Sequence, residues 1–310
     1  MSRKIAALVA LVLVLAACTN PTAGLRLTIA TGLPGGVYNS LGTALAKEWA
    51  AQTGIAQPTV LETNGSGENL IKLRTGQANV TICAADLATE EISNQGLHSP
   101  RALARIYDDY FHIVVRDEAP IQHLHDLAGK RVAIGAKNSG VEFIAGHLLK
   151  LPGQGFEADP PRTVNMNLVQ SREALLSGQI DAFFWSGGLP TRDIAQLAQA
   201  IPLRLVDMSE VMTEIRAEYR YYSAATIPVT TYRLRNSSPV TTLVVANLLL
   251  VTDEMPAAAA KVLTQGIFES QKDLASVNTA ANSIDIRSAV ETQPVPLHEG
   301  ALEYYRDEKA

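Results

Sequence analysis

Four times in this chain a short apolar run ends in a glycine-bearing turn and passes directly into a helical pattern. No other feature narrows the possible folds as sharply. A strand that feeds a helix through so short a turn belongs to an α/β sheet covered by helices, since each helix must return across the sheet before the next strand begins. In the first unit Leu25 to Thr31 is the strand, Gly32 to Val37 the turn, and about Tyr38 to Ala50 the helix. Leu41, Leu45 and Trp49 recur there every four residues as one buried stripe. In the second unit Pro58 to Thr63 leads through Asn64-Gly65-Ser66-Gly67 into a helix from Glu68 to Thr75, stopped by Gly76 before a strand over Val80 to Ile82. Two further apolar strands are read around Ala102 to Tyr107 and Phe111 to Val115.

Residues 117–130 are polar and turn-prone, with Pro120, His123, His125, Asp126 and Gly129, and the first crossing between two lobes is expected there. A fresh α/β run follows: Arg131 to Gly135 as strand, a turn to Gly140, then a helix to Leu149. Leu176-Ser177-Gly178-Gln179 leads from a helix into Asp181 to Trp185 just as Arg74-Thr75-Gly76-Gln77 leads into Val80, which suggests two similarly built lobes. Arg233, Asn236, Ser237, Ser238 and Pro239 interrupt the apolar pattern and mark a return near 230–242, before a strand over Leu243 to Thr252, helix over 256–276 and a last helix over 298–306. The expectation is a discontinuous first lobe, 25–116 with 240–310, and a second lobe over 117–239, joined by two crossings that act as a hinge.

The N-terminus carries a separate message. Arg3 and Lys4 precede an apolar core over 5–15 that is too short to cross a bilayer comfortably but matches a secretory signal. Leu15-Ala16-Ala17-Cys18 resembles a bacterial lipobox, so residues 1–17 are expected to be removed, Cys18 lipidated, and 18–24 left as a tether on the periplasmic face of a membrane. Cys83, the second of two cysteines, then has no intrachain partner and reads as a buried, inert thiol. Acidic residues exceed basic ones by 31 to 26, for a net charge of −5, and no Lys/Arg cluster gathers phosphates, so a nucleic-acid partner is not expected.

The four turns are the candidate site. In Gly32-Leu33-Pro34-Gly35-Gly36-Val37-Tyr38 the glycines admit a ligand to the backbone, the helix's first N–H groups favour an anion, and Tyr38 supplies a hydroxyl or a ring wall, or is a surface tyrosine. Thr63, Asn64 and Ser66, with Gly65, repeat the arrangement, while Glu68 and Asn69 read as helix caps. Across the expected cleft stand Ser139 and Gly140, with Asn138 as a possible orienting contact; Ser139 is equally a simple N-cap. Ser186-Gly187-Gly188-Leu189-Pro190-Thr191 follows Trp185, which either stacks on a ligand or fills the core. In open α/β sheets such loops gather at the strand C-termini, where ligands bind.

Catalysis has no assembled residue set. The chain lacks a GxSxG elbow, an HExxH metal motif and a phosphate-binding GxxxxGK[ST] loop, and no metal or cofactor is expected. His123 and His125 read as exposed linker residues, His298 as the start of the last helix, and the pair Asp108-Asp109 as solvated carboxylates.

Six stretches, TIATGLPGGVYNSLG (28–42), TNGSGENL (63–70), KRVAIGAKNSGVE (130–142), GQIDAFFWSGGLPT (178–191), TIPVTTY (226–232) and PLHEGALEYY (296–305), together resemble the TAXI family of TRAP-transporter solute-binding proteins. The resemblance implies a two-lobed periplasmic-binding-protein fold and delivery of glutamate or a related organic anion to an ion-coupled TRAP permease. It implies ligand contacts at Gly36, Val37 and Tyr38, at Asn64, Gly65 and Ser66, at Ser139 and Gly140, and at Gly188, Pro190 and Thr191. Lys137-Asn138-Ser139-Gly140 departs from the family's usual proline-glycine-serine-glycine, and Arg220 in EYRYY stands where proline is common. A sensor module presenting its solute to a membrane receptor, and a secreted enzyme on the same fold, are the alternative readings.

Overall fold

The computed structural model describes residues 22, 24–93, 99–236 and 238–309. The signal segment 1–17 and Cys18 lie outside the described residues. In chain order the elements are β1 (Thr28–Ala30), α1 (Val37–Thr53), β2 (Thr59–Leu61), α2 (Ser66–Arg74), β3 (Val80–Ala84), α3 (Ala85–Ser93), β4 (Pro100–Arg116), β5 (Arg131–Ala133), α4 (Gly140–Leu148), β6 (Arg162–Val164) and α5 (Leu168–Leu176). There follow β7 (Ala182–Gly187), α6 (Arg192–Ala200), β8 (Leu203–Leu205), α7 (Met212–Glu218), β9 (Ser223–Ile227), β10 (Val240–Thr252), α8 (Ala257–Glu269), α9 (Gln271–Val277) and α10 (Glu299–Asp307).

The strands run β2-β1-β3-β10-β4-β7-β5-β6, with β8 added to β4 and β9 to β10. The order is symmetric about its centre. On one side β1 lies parallel to β2 and β3; on the other β5 lies parallel to β6 and β7. The long strands β4 and β10 run antiparallel between these halves. Each parallel half is a lobe of the two-lobed α/β fold. The repeated Gly-Gln turn is part of this symmetry, for Gly76 and Gly178 both end their helices with φ near +70°, at +70° and +75°, where a side chain would be strained.

β4 pairs with β10 over Pro100 to Tyr110 and with β7 over Tyr110 to Val115. β10 pairs with β9 up to Val244 and with β3 from Asn247 onward. The two strands expected around 102–107 and 111–115 are therefore one, and the change of neighbours falls inside β4 and β10 rather than in the polar segments 117–130 and 230–242. Turn-forming residues mark where a chain leaves a sheet; a strand that runs on without them changes partners with no such signal. The segment 117–130 instead buries Ile121, Leu124 and Leu127 against the core. The mainly helical stretch expected over 256–276 forms two helices, α8 and α9, that meet at Ser270.

Leu41, Leu45 and Trp49 form the stripe their spacing predicts, each no more than 1% exposed, and Trp49 Nε1 donates to the Leu263 carbonyl at 3.1 Å. This stripe packs with Ile29, Val80, Leu249 and Ile267 in the first lobe. The second lobe has its own cluster around Leu175, Phe183, Ile194 and Leu197. A third cluster runs along both lobes, joining Leu70 and Leu73 to Ile144, Leu148 and Phe184. Cys83 is a free, fully buried thiol that burial, reinforced by nearby Asp86, holds well above the usual thiol range. No helix among the described residues is long and apolar enough to cross a membrane.

Candidate functional site

A cleft of about 440 Å³ lies between the lobes, lined by the turns that follow β1, β2, β5 and β7. Each turn leaves a parallel strand at its C-terminal end and starts a helix, so the N-termini of α1, α2, α4 and α6 are brought to one place. Gly36, Val37, Tyr38, Asn64, Gly65, Ser66, Ser139, Gly140, Trp185, Gly188, Pro190 and Thr191 all line it. Asn138 does not.

The N-cap residues Gly36, Gly65 and Thr191 give no side-chain cap to α1, α2 and α6. An α-helix leaves its first N–H groups without intrahelical partners, and here solvent or a guest must meet those that no neighbouring loop takes up. α4 differs, because Ser139 Oγ accepts the Glu142 N–H at 3.2 Å. That is the plain N-cap role, although Ser139 still faces the cleft.

Several side chains of the lining and of the turns behind it also hold the walls together. Tyr38 donates its hydroxyl to Asn247 Oδ1 and lies 2.9 Å from Ser66 Oγ, which accepts the Ala84 N–H at 3.1 Å. The Tyr38 ring stands edge-on to Tyr107, 6.3 Å between centroids. Asn69 is fully buried and donates to the carbonyls of Thr31 and Ile82, while Glu68 accepts from the Asn64 backbone and side-chain amides. Trp185 Nε1 donates to Thr191 Oγ1 at 3.0 Å, and that hydroxyl donates to the Gly188 carbonyl. Thr191 N–H in turn donates to Tyr232 Oη. Trp185 thus shapes its loop and still presents surface to the cleft.

The two lobes touch across this cleft. Asn138, left-handed at φ +60°, accepts the Glu68 N–H on its carbonyl at 3.1 Å, and its own N–H donates to Glu142. A β-carbon on Gly67 would lie 2.5 Å from that carbonyl oxygen, and one on Gly188 would lie 3.3 Å from Val37. Asn138 is a bridge between lobes rather than part of the lining. Behind the cleft, Tyr222 Oη donates to Asp86 Oδ2 at 3.0 Å and meets His147 Nδ1 at 2.8 Å. Burial raises the Asp86 carboxyl to about 6 despite the opposing Leu87 N–H and Tyr222 hydroxyl.

The floor holds a residue that sequence reasoning took for solvated. Asp108 is ion-paired with Arg105, but Asp109 is only 7% exposed and lines the cleft. Its Oδ1 and the nearby Asn247 Nδ2 are buried without hydrogen-bond partners. Burial pushes the Asp109 carboxyl up to about 7, against the opposing pull of Asn247 and Tyr107. The signal was present in the two-residue period, which sets Asp109 on the same side of β4 as buried Tyr107 and Phe111. The segment 277–280 and residues 166–169, which also line the cleft, carried no such signal.

Among the described residues no group of three His, Cys, Asp or Glu side chains is placed to hold a metal. His123 and His125 stack on each other beside Glu210, half exposed, and His298 Nδ1 accepts the Gly300 N–H at the start of α10.

The architecture is shared with solved binding proteins. The periplasmic aliphatic sulphonate binding protein SsuA from Escherichia coli is 14% identical, with a TM-score of 0.52 over 91% of this chain and 82% of its own. The GluR0 ligand-binding core from Nostoc punctiforme, in complex with L-glutamate, is 16% identical, with a TM-score of 0.51 over 81% and 96%. XAC2383 from Xanthomonas citri, bound to chloride, is 14% identical, with a TM-score of 0.51 over 91% and 99%. The fold is thus the two-lobed periplasmic-binding-protein fold. Residues 29–308 match the NMT1-like family, and the chain belongs to that family.

Proposed function

We propose that this protein is an extracytoplasmic receptor that closes its lobes on a small organic anion, an amino acid or dicarboxylate such as glutamate, and delivers it to an ion-coupled TRAP permease. The observation that carries the reading is the meeting of helix N-termini from both lobes at one cleft, with α1, α2 and α6 lacking side-chain caps. A carboxylate there exchanges water for aligned N–H donors and draws on the positive ends of several helix dipoles. Because donors come from both lobes, the guest binds the closed form better than the open one and shifts the population toward it.

The TAXI-like motifs support the permease as partner, and the lipobox supports anchoring through Cys18 on the periplasmic face of a bacterial membrane. In this reading the lobes expected as 25–116 with 240–310 and as 117–239 meet within β4 and β10, so that the end of β4 after Tyr110 and the start of β10 before Val244 go with the second lobe. Gly36, Val37, Tyr38, Asn64, Gly65, Ser66, Ser139, Gly140, Gly188, Pro190 and Thr191 surround the guest, and Trp185 walls one side. Calorimetry on ligand-stripped protein tests the reading: organic acids are expected to bind and neutral sugars not to. Binding of sugars with no response to any organic acid would refute it.

A further inference from the structure

We infer that Asp109 is the acceptor for an ammonium group on the ligand, so that the solute is an amino acid and not a dicarboxylate without an amine; this rests on the organic-anion reading above. Asp109 lines the cleft and is more than nine-tenths buried; Asn247 and Tyr107 stand close enough to pull its pKa down, yet neither meets Oδ1 with hydrogen-bond geometry, and Oδ1 and Asn247 Nδ2 are both left unpaired. A buried carboxylate oxygen kept unpaired is costly unless a visiting donor satisfies it. The helix N-termini and Asp109 ask for opposite charges within one cavity, and an α-amino acid carries both on adjacent carbons.

The rest of the lining agrees. Its charged side chains are Asp109, Arg192 and Asp193. Arg192 is exposed at the mouth, and Asp193 is ion-paired with Arg172 at 2.8 Å. Among the described residues no buried cation lies in the lining beside Asp109, so a guest bringing carboxylates alone offers nothing that would favour the ionised form of this buried carboxyl. An ammonium reverses this, forming a charge-assisted hydrogen bond to Oδ1.

Asp109 also sits where closure is sensed. It is opposite Val245 on β10, and the next residue, Tyr110, is the point at which β4 exchanges β10 for β7. A guest held at Asp109 therefore touches the strand that joins the lobes, while its carboxylate reaches their helices.

The test uses ligand-stripped full-length protein and two probe pairs that differ only in the amine, L-glutamate with glutarate and L-leucine with 4-methylpentanoate. In any pair that binds, calorimetry is expected to show the amino acid at least 30-fold tighter than its deaminated partner, and Asp109→Asn to reduce that ratio below threefold while the variant keeps a cooperative melt. Deaminated acids binding within threefold of their parents would overturn the assignment but leave the organic-anion reading standing, as would an Asp109→Asn protein that keeps the full preference. No binding by any of the four, alongside binding of a neutral sugar, would overturn both.

Discussion

Burial of Asp109 has a consequence for stability that is separable from binding. Its folded carboxyl titrates near 7 against an ordinary value of 3.8, so between these values the folded chain holds a proton that the unfolded chain has released. Stability from this group is full below about pH 4 and is lost as pH rises through 7. Asp109→Asn, neutral at every pH, should therefore raise the melting temperature of ligand-free protein at pH 8, by an amount corresponding to about 2 kcal/mol or more, with the gain narrowing steadily toward pH 4. Thermal denaturation across that range checks it; a gain independent of pH would contradict the buried, titrating carboxyl. At Tyr222 the expectation is opposite in sign. Tyr222→Phe leaves Asp86 and His147 without a shared hydroxyl and should cost about 1–3 kcal/mol, read as a lowered denaturant midpoint.

Among elements, the contact between the start of α2 and the loop before α4 is the most exacting. Gly67 has an ordinary helical backbone but no space for a β-carbon against the Asn138 carbonyl, which lies in the other lobe. Gly67→Ala should leave each lobe folded, with a melting temperature within a few degrees of wild type, and weaken ligand binding tenfold or more by holding the lobes apart. Unchanged affinity by calorimetry would show that closure does not bring these loops together. The four strand-turn-helix units and the buried stripe of α1 were legible in the sequence because glycine turns and four-residue spacing are local. Asp109 was not read correctly, although strand alternation placed it inward, because an adjacent acidic pair resembles a solvated one until its strand is recognised as central. The partner exchange within β4 and β10 was hidden for a different reason: it depends on which strands lie alongside, and no local residue pattern encodes that. Asn138, read as a possible orienting contact, donates and accepts through its backbone, a role that side-chain chemistry does not announce.

At the scale of the whole molecule, two half-sheets are joined by two continuous strands, with the cleft beside the join. In the proposed reading β4 and β10 are the hinge about which the lobes rotate. The proposed lipid anchor is testable at Cys18: Cys18→Ala should move the protein from the membrane fraction to the soluble periplasmic fraction, and retention in the membrane would remove Cys18 as anchor. The proposal stands or falls on both lobes together clasping one small organic anion. Its most direct measurement is mass spectrometry of the small molecules released when natively purified protein is denatured. One carboxylate-bearing solute in near-equal amount to the protein is expected; a neutral sugar released in that amount would contradict the proposal.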